Sequence, residues 1–210
     1  DEKNSSMNIV QLYQAGLGMG DRDYYLVEDD ASVKMRDAYK QFISQLFTLT
    51  GASPEQAEAA VNAVMKIETG IAKSSFSRED LRDSQKNYNK IKLQEFKANN
   101  NPLDWDVYFE SMGLMEIEYL DAKQLPFYEA LGEFMKNVSI DEQKYYLAFN
   151  LLNAAAPYLS DDFVAAEFDF YGKVMSGKLE QKPRWKRSLS TVNSALGEAV
   201  GQMYVAKYFP

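Results

Sequence analysis

Apolar residues recur at steps of three and four through most of the chain, the period of a helix that buries one face. Between Asp30 and Thr50 the positions Met35, Tyr39, Phe42, Ile43, Leu46 and Phe47 form one such stripe, and Gly51 supplies a stop. Ser53-Pro54-Glu55-Gln56 then combines an N-cap, a proline at the first helical position and a glutamine able to complete a capping box. The helix it opens carries Ala57, Ala60, Val61, Val64, Ile67 or Glu68, and Ile71 along one side. The same punctuation recurs at Ser77 with Asp80 and at Ser139 with Glu142, each just ahead of a helix-compatible run. Asn99-Asn100-Asn101-Pro102 reads as a loop, after which Asp104 caps a short helix holding Trp105, Tyr108 and Phe109. Met115 to Tyr119 alternates as a short strand would.

Downstream, Tyr145, Phe149 and Leu152 share a face, and Leu159-Ser160 starts a helix with Phe163, Ala166, Phe170 and Val174 that runs to Gly177. The longest predicted element extends from Pro183 to about Tyr208, with Trp185, Leu189, Val192, Leu196, Val200, Met203 and Tyr204 at helical spacing. Gly197 and Gly201 interrupt its adjoining side. Two such glycines cost about 1 kcal/mol each relative to alanine in a helix, so the pattern predicts a neighbouring helix packed into that notch. No repeat of roughly 20 to 50 residues is visible. The patterning therefore predicts an all-α fold, an irregular multi-helix domain.

Composition is consistent with a packed core: of 210 residues 46% are apolar and 13% aromatic, with only 11 glycines and 6 prolines. A net charge of −8 repels polyphosphate and argues against nucleic acid as a partner. No apolar run approaches the length of about 18 residues that a membrane helix requires, so no membrane segment is expected in this chain. Asp1-Glu2-Lys3-Asn4-Ser5 lacks the charged start and apolar stretch of a signal peptide, and the missing initiator Met makes the chain read as a mature form or a part excised from something longer.

The chain has no His and no Cys. It therefore lacks the usual zinc ligands, the His-Glu-x-x-His motif, a Ser-His-Asp triad, disulfides and a cysteine nucleophile. Carboxylates remain, in Glu28-Asp29-Asp30, Asp104-Asp106 and Asp161-Asp162, but none has the spacing of a calcium loop, and each sits where a helix is about to start. They read as solvated helix N-termini. Glu79 and Asp83 match the Glu-x-x-x-Asp of some zinc peptidases, a match without meaning when both His ligands are missing. Lys182-Pro183-Arg184-Trp185-Lys186-Arg187 is a compact basic and aromatic run that reads as a structural ion-pair cluster rather than a ligand site. Arg22-Asp23-Tyr24-Tyr25, after the flexible Gly16-Leu17-Gly18-Met19-Gly20, lacks the ending of a phosphate loop and reads as a turn whose Arg and Tyr side chains anchor a chain crossing. No catalytic, cofactor-binding or metal-binding residue is assigned, and the sequence does not identify substrate contacts.

Several of these segments, in order, resemble the amino-terminal half of the neprilysin and endothelin-converting-enzyme family, which includes bacterial endopeptidase O. They are Asp1-Glu2-Lys3-Asn4-Ser5, Gly16-Leu17-Gly18, Arg22-Asp23-Tyr24-Tyr25, Arg82-Asp83, Tyr88-Asn89, and Asp104-Trp105 with Tyr108. The series ends with Trp185, Arg187, Asn193, Gly197-Glu198-Ala199-Val200-Gly201, Tyr204-Val205 and Phe209. The chain departs from the pattern at Gly20, where the family usually has Pro, and its lack of Cys resembles bacterial members. The resemblance implies a two-lobed zinc endopeptidase in which this chain is mainly the helical lobe over the active-site cavity: residues 1–25 lead into that lobe and residues 26–210 form it. It implies zinc in the parent enzyme and none bound by this chain, with the family's catalytic residues beyond the sequence. Its partners would then be the catalytic lobe of the same polypeptide and the parent's peptide substrates. By resemblance alone the compartment is extracytoplasmic, periplasmic or cell-surface. The alternative expectation is a freestanding helical binding protein descended from such a lobe.

Overall fold

A computed structural model describes residues 1–100, 103–114 and 116–209. Its chain divides into two compact units, Asp1–Glu167 and Phe168–Pro210. The first contains strand β1 (Val10–Leu12), helices α1 (Asp23–Leu26), α2 (Asp30–Leu49) and α3 (Pro54–Ser74), strand β2 (Lys90–Lys92), helices α4 (Leu93–Asn99) and α5 (Trp105–Ser111), strand β3 (Tyr119–Ala122), and helices α6 (Leu125–Met135), α7 (Ile140–Ala155) and α8 (Asp161–Glu167). The second holds a π-helical segment, Phe168–Val174, followed by α9 (Arg184–Ala195) and α10 (Gly197–Tyr208). The helical class predicted from the patterning is the one observed.

Helix α3 is central to the first unit, packing against α2, α6 and α7. Its capping box is complete, with the Ser53 hydroxyl accepting from the Gln56 amide and the Gln56 side chain accepting from the Ser53 amide. Ser139 and Glu142 form the second predicted box at the start of α7. Glu142 also takes an ion pair from Lys66 of α3 at 2.6 Å, and Lys66 together with Ser139 holds its carboxyl down to about 2. The α2 stripe is buried as its spacing requires: Tyr39, Phe42, Ile43, Leu46 and Phe47 all face inward. Tyr39 and Phe42 meet Phe149 of α7 edge-on, with ring centroids 5.8 and 6.3 Å away.

A second cluster surrounds a small sheet of order β1-β3-β2, in which β1 runs parallel and β2 antiparallel to β3. Leu12, Ile91, Leu120 and Ala122 of the sheet pack with Phe96, Trp105, Phe109 and Phe127. The strand predicted at Met115 to Tyr119 belongs further on, at Tyr119–Ala122, and Met115 lies outside the described residues, as do Asn101 and Pro102 of the predicted loop. Alternation failed there because Leu120, Asp121 and Ala122 are all buried, on both faces of the middle strand. The run after Ser77 is a single 3-10 turn, Asp80–Arg82, rather than a helix: the Ser77 hydroxyl and Asp80 cap each other, but the chain then turns into β2.

In the second unit the long helix predicted from Pro183 to Tyr208 is broken at Leu196, whose φ of −126° and ψ of 32° lie outside the helical range. Gly197 follows the break, and a glycine there gives the helix little reason to continue. Nothing lies within 4 Å of where a Cβ would stand on Gly197 or Gly201, so the neighbour predicted for the notch is absent among the described residues. No described helix is long and apolar enough to cross a membrane.

Candidate functional site

The segment between β1 and α2 crosses the C-terminal third of α3, and the crossing is built around one carboxylate. Glu68 is 0% exposed. Its Oε2 accepts from the Tyr25 hydroxyl at 2.5 Å and its Oε1 from the Tyr39 hydroxyl at 3.0 Å, while the Gly18 amide also donates to it. The Tyr25 hydroxyl in turn accepts from the Met19 amide at 3.0 Å. Two helices and the crossing segment thus share one acceptor. Gly18 is required by this closeness, because a Cβ there would overlap the Tyr39 hydroxyl. The Tyr146 hydroxyl of α7 donates to the Gly16 carbonyl at 3.0 Å and closes the crossing from the other side.

Burial pushes the Glu68 carboxyl up to about 7, against the downward pull of Tyr25, Tyr39 and the Gly18 amide. A carboxyl poised near neutrality between two phenols is chemically suited to proton exchange. Complete enclosure denies it a substrate, so its work here is to hold the crossing together. Around it, the Arg22 guanidinium donates to the Ser75 carbonyl at 2.5 Å and buried Asp21 pairs with Arg78. The Arg and Tyr residues of Arg22-Asp23-Tyr24-Tyr25 do anchor a chain crossing. Gly20 adopts φ +77°, which a proline ring forbids, so this turn is made with a backbone unlike that of a proline turn.

A second buried polar junction joins the amino terminus to the sheet. The Asn89 amide donates to Asp121 Oδ1 at 2.7 Å, and the Lys123 ammonium lies 2.8 Å from Asp121 Oδ2, as an ion pair rather than an aligned hydrogen bond. Lys123 also pairs with Glu2. The Tyr88 hydroxyl and Lys90 both reach the Asp1 carboxylate, at 2.9 and 2.8 Å.

The acidic clusters lie at helix starts, where the sequence placed them. Asp29 caps α2 by accepting from the Ser32 amide at 2.8 Å, Asp30 occupies its first turn, and Glu28 pairs with Arg36 at 2.8 Å. Asp104 caps α5, Asp106 pairs with Lys97, and Asp161 and Asp162 open α8. Glu79 and Asp83 flank the 3-10 turn and do not share a helix face. No group of three or more acidic side chains among the described residues is arranged to hold a metal ion. The basic run behaves differently from its reading as an ion-pair cluster. Arg187 donates to the Lys182 carbonyl at 3.0 Å and Lys186 lies over the Trp185 ring, 5.3 Å from its centroid, with no carboxylate partner among the described residues.

An open apolar groove of about 510 Å³ also lies on the first unit, walled by Leu12, Trp105, Tyr108, Tyr128, Leu131 and Leu147. Neither the groove nor Glu68 was singled out from the sequence. Glu68 had left a trace, a charged residue at an apolar position of α3, where Ile67 and Glu68 compete for the same face; both are buried.

The sequence profile described as Peptidase family M13, for the amino-terminal domain, matches residues 1–210, the whole chain. The chain belongs to peptidase family M13. Among curated relatives, human endothelin-converting enzyme 1 is 27% identical across all of this chain and 28% of its own length. Mouse membrane metallo-endopeptidase-like 1 is 27% identical, over all of this chain and 29% of its own length. The Mycobacterium tuberculosis zinc metalloprotease Zmp1 in its inhibitor complex superposes with a TM-score of 0.89 at 26% identity, covering 96% of this chain and 31% of that one. Its open state gives a TM-score of 0.88 at the same identity and coverage. The chain therefore spans under a third of the length of the M13 proteins it matches. Within the family the neprilysin-like assignment holds, and the matched structure is the helical amino-terminal part.

Proposed function

We propose that this chain is the non-catalytic helical lobe of a neprilysin-like zinc endopeptidase that hydrolyses oligopeptides, and that it covers the active-site cavity and restricts substrate size. The observation that carries this reading is the match of the family profile to the entire chain, residues 1–210, in a fold shared with a zinc metalloprotease. Catalytic zinc requires three protein ligands drawn from His, Cys and carboxylates held at close quarters. A chain without His or Cys, and without a described carboxylate cluster, does not fit that group, so zinc and the residues acting on the peptide bond are assigned to the rest of the polypeptide. In this reading residues 1–25 lead into the lobe, residues 26–210 form it, and its partners are the catalytic lobe and the peptides enclosed between them. Enclosure admits short flexible chains, excludes folded proteins and keeps bulk water from the site. The compartment that accompanies the reading is extracytoplasmic, periplasmic or cell-surface.

Peptides of graded length and a folded protein containing the same cleavable sequence, assayed with the longer polypeptide, test it. The expected result is zinc-dependent cleavage whose kcat/KM falls steeply for the folded substrate, with no cleavage by residues 1–210 alone in added zinc. Zinc-dependent turnover by residues 1–210 refutes the non-catalytic assignment. Equal rates on the peptide and the folded protein refute selection by size.

A further inference from the structure

Helix α9 presents its apolar side to solvent. Trp185, Leu189, Val192 and the following Leu196 fall within an arc of about 60° on a helical wheel, and they are 63%, 51%, 43% and 59% exposed. No residue of α9 or α10 is buried. A helix this short is marginal in water on its own, and contiguous exposed apolar surface on a folded protein marks a place where something else packs. The second helix extends the same feature, since Gly197 and Gly201 leave a notch with nothing within 4 Å of either Cβ position.

Charge narrows what fits. Arg184 and Lys186 stand about 100° to either side of the apolar arc, the arrangement of a ridge bordered by cations. Lys182 precedes the helix and Arg187 stands on its far side, so the border of the ridge is Arg184 and Lys186, neither of which is paired with a carboxylate among the described residues. The chain as a whole carries −8. Its own surplus of acid is thus spent elsewhere, and the complement to this face is an apolar surface rimmed by carboxylates. The relatives supply the length from which such a surface comes: more than two thirds of each has no counterpart in these 210 residues.

We infer that the α9 face, with the Gly197 and Gly201 notch beside it, is the seat of an acid-rimmed apolar segment of the same polypeptide, contributed by the zinc-binding lobe. The inference rests on the reading under Proposed function and deepens it by naming the surface through which the lobes are joined. The apolar arc supplies the burial, the flanking cations set the register, and the glycines allow a close helix crossing.

Amide hydrogen exchange, compared between the longer polypeptide and residues 1–210, tests it. Amides of 186–196 are expected to exchange about 100-fold more slowly in the longer polypeptide. The double variant Leu189→Asp, Val192→Asp returns them to within about 10-fold of the shorter chain, whereas Ser194→Asp, on the opposite side of the helix, leaves protection intact. Equal exchange in the two proteins overturns the inference, as does loss of protection with Ser194→Asp. Protection in residues 1–210 that rises with concentration overturns it in favour of a second copy as the occupant. Zinc-dependent peptide cleavage is read alongside: an active peptidase with unprotected α9 refutes the docking face alone, and an inactive polypeptide with protected α9 refutes the peptidase reading alone.

Discussion

The Glu68 crossing and the α9 face invert the usual distribution of chemistry. At the crossing a carboxyl group is 0% exposed and its lone pairs are met by Tyr25, Tyr39 and the Gly18 amide. On α9 Trp185, Leu189 and Val192, with Leu196 just after it, stand 43% to 63% exposed. The first is a polar group that has found every partner within residues 1–167, and the second a set of apolar groups left about half exposed. Stability should therefore concentrate in one region and leave the other almost untouched. Substitutions that exchange the two behaviours measure the contrast.

Glu68→Ala should have the largest effect, because it strands two buried hydroxyls and a buried amide and leaves a cavity. A loss of about 4 kcal/mol is expected, read as a lower urea midpoint of residues 1–210. Loss below about 1 kcal/mol would show that the crossing relaxes or admits water, and that its partners are not committed to Glu68.

Next comes pH. Burial raises the folded-state carboxyl of Glu68 from 4.5 to about 7. Between those values the folded chain holds a proton that the unfolded chain has released, so the stability Glu68 contributes is fully present below the lower value and is lost as pH rises through the upper one. The shift corresponds to about 3 kcal/mol lost between pH 4.5 and 8. The chain has no His to titrate in that window. Tyr25, Tyr39 and Tyr146 are the titratable side chains around the carboxyl, and burial, with the Glu68 charge second, pushes Tyr146 up to about 12, far outside the window. Urea midpoints at closely spaced pH values should show the decline, and Glu68→Gln should flatten it. A decline of equal size in the Gln variant would assign it to another group.

Tyr25→Phe removes one donor to Glu68 and the acceptor of the Met19 amide but keeps the ring edge-on to Tyr39 at 6.5 Å. About 1 to 2 kcal/mol should be lost, together with a steeper pH dependence, because the charged carboxylate loses its shorter hydrogen bond.

Much of this was legible beforehand, and the contrast explains which parts. Helices α2, α3, α5 and α7 announce themselves through long apolar stripes or side-chain caps, signals that are local and redundant. The anchoring role of Arg22 and Tyr25 was readable because a Gly-rich turn followed by large hydrogen-bonding side chains has few other uses. The sheet was not readable: β1 and β2 have three residues each, too few for alternation to register, and β3 carries the buried Asp121 at its centre. Glu68 was visible only as a discord in the α3 stripe, since its partners lie 29 and 43 residues away. On α9 and α10 the apolar period was read correctly and the burial it normally signals did not follow. Periodicity reports that a face is built to be covered, not that the covering is present in the same stretch of chain.

The smallest effect is the sharpest test of that last point. Leu189→Ser deletes an apolar side chain from the centre of the α9 stripe, a change that costs about 2 to 4 kcal/mol in a core. At 51% exposure, with no buried residue on its helix, the change in the unfolding free energy of residues 1–210 should stay within about 0.5 kcal/mol. A cost of 2 kcal/mol or more in the isolated chain would mean that α9 is already covered there and the stripe is core. A negligible cost in the isolated chain with a large one in the longer polypeptide would place the missing half of that packing outside residues 1–210.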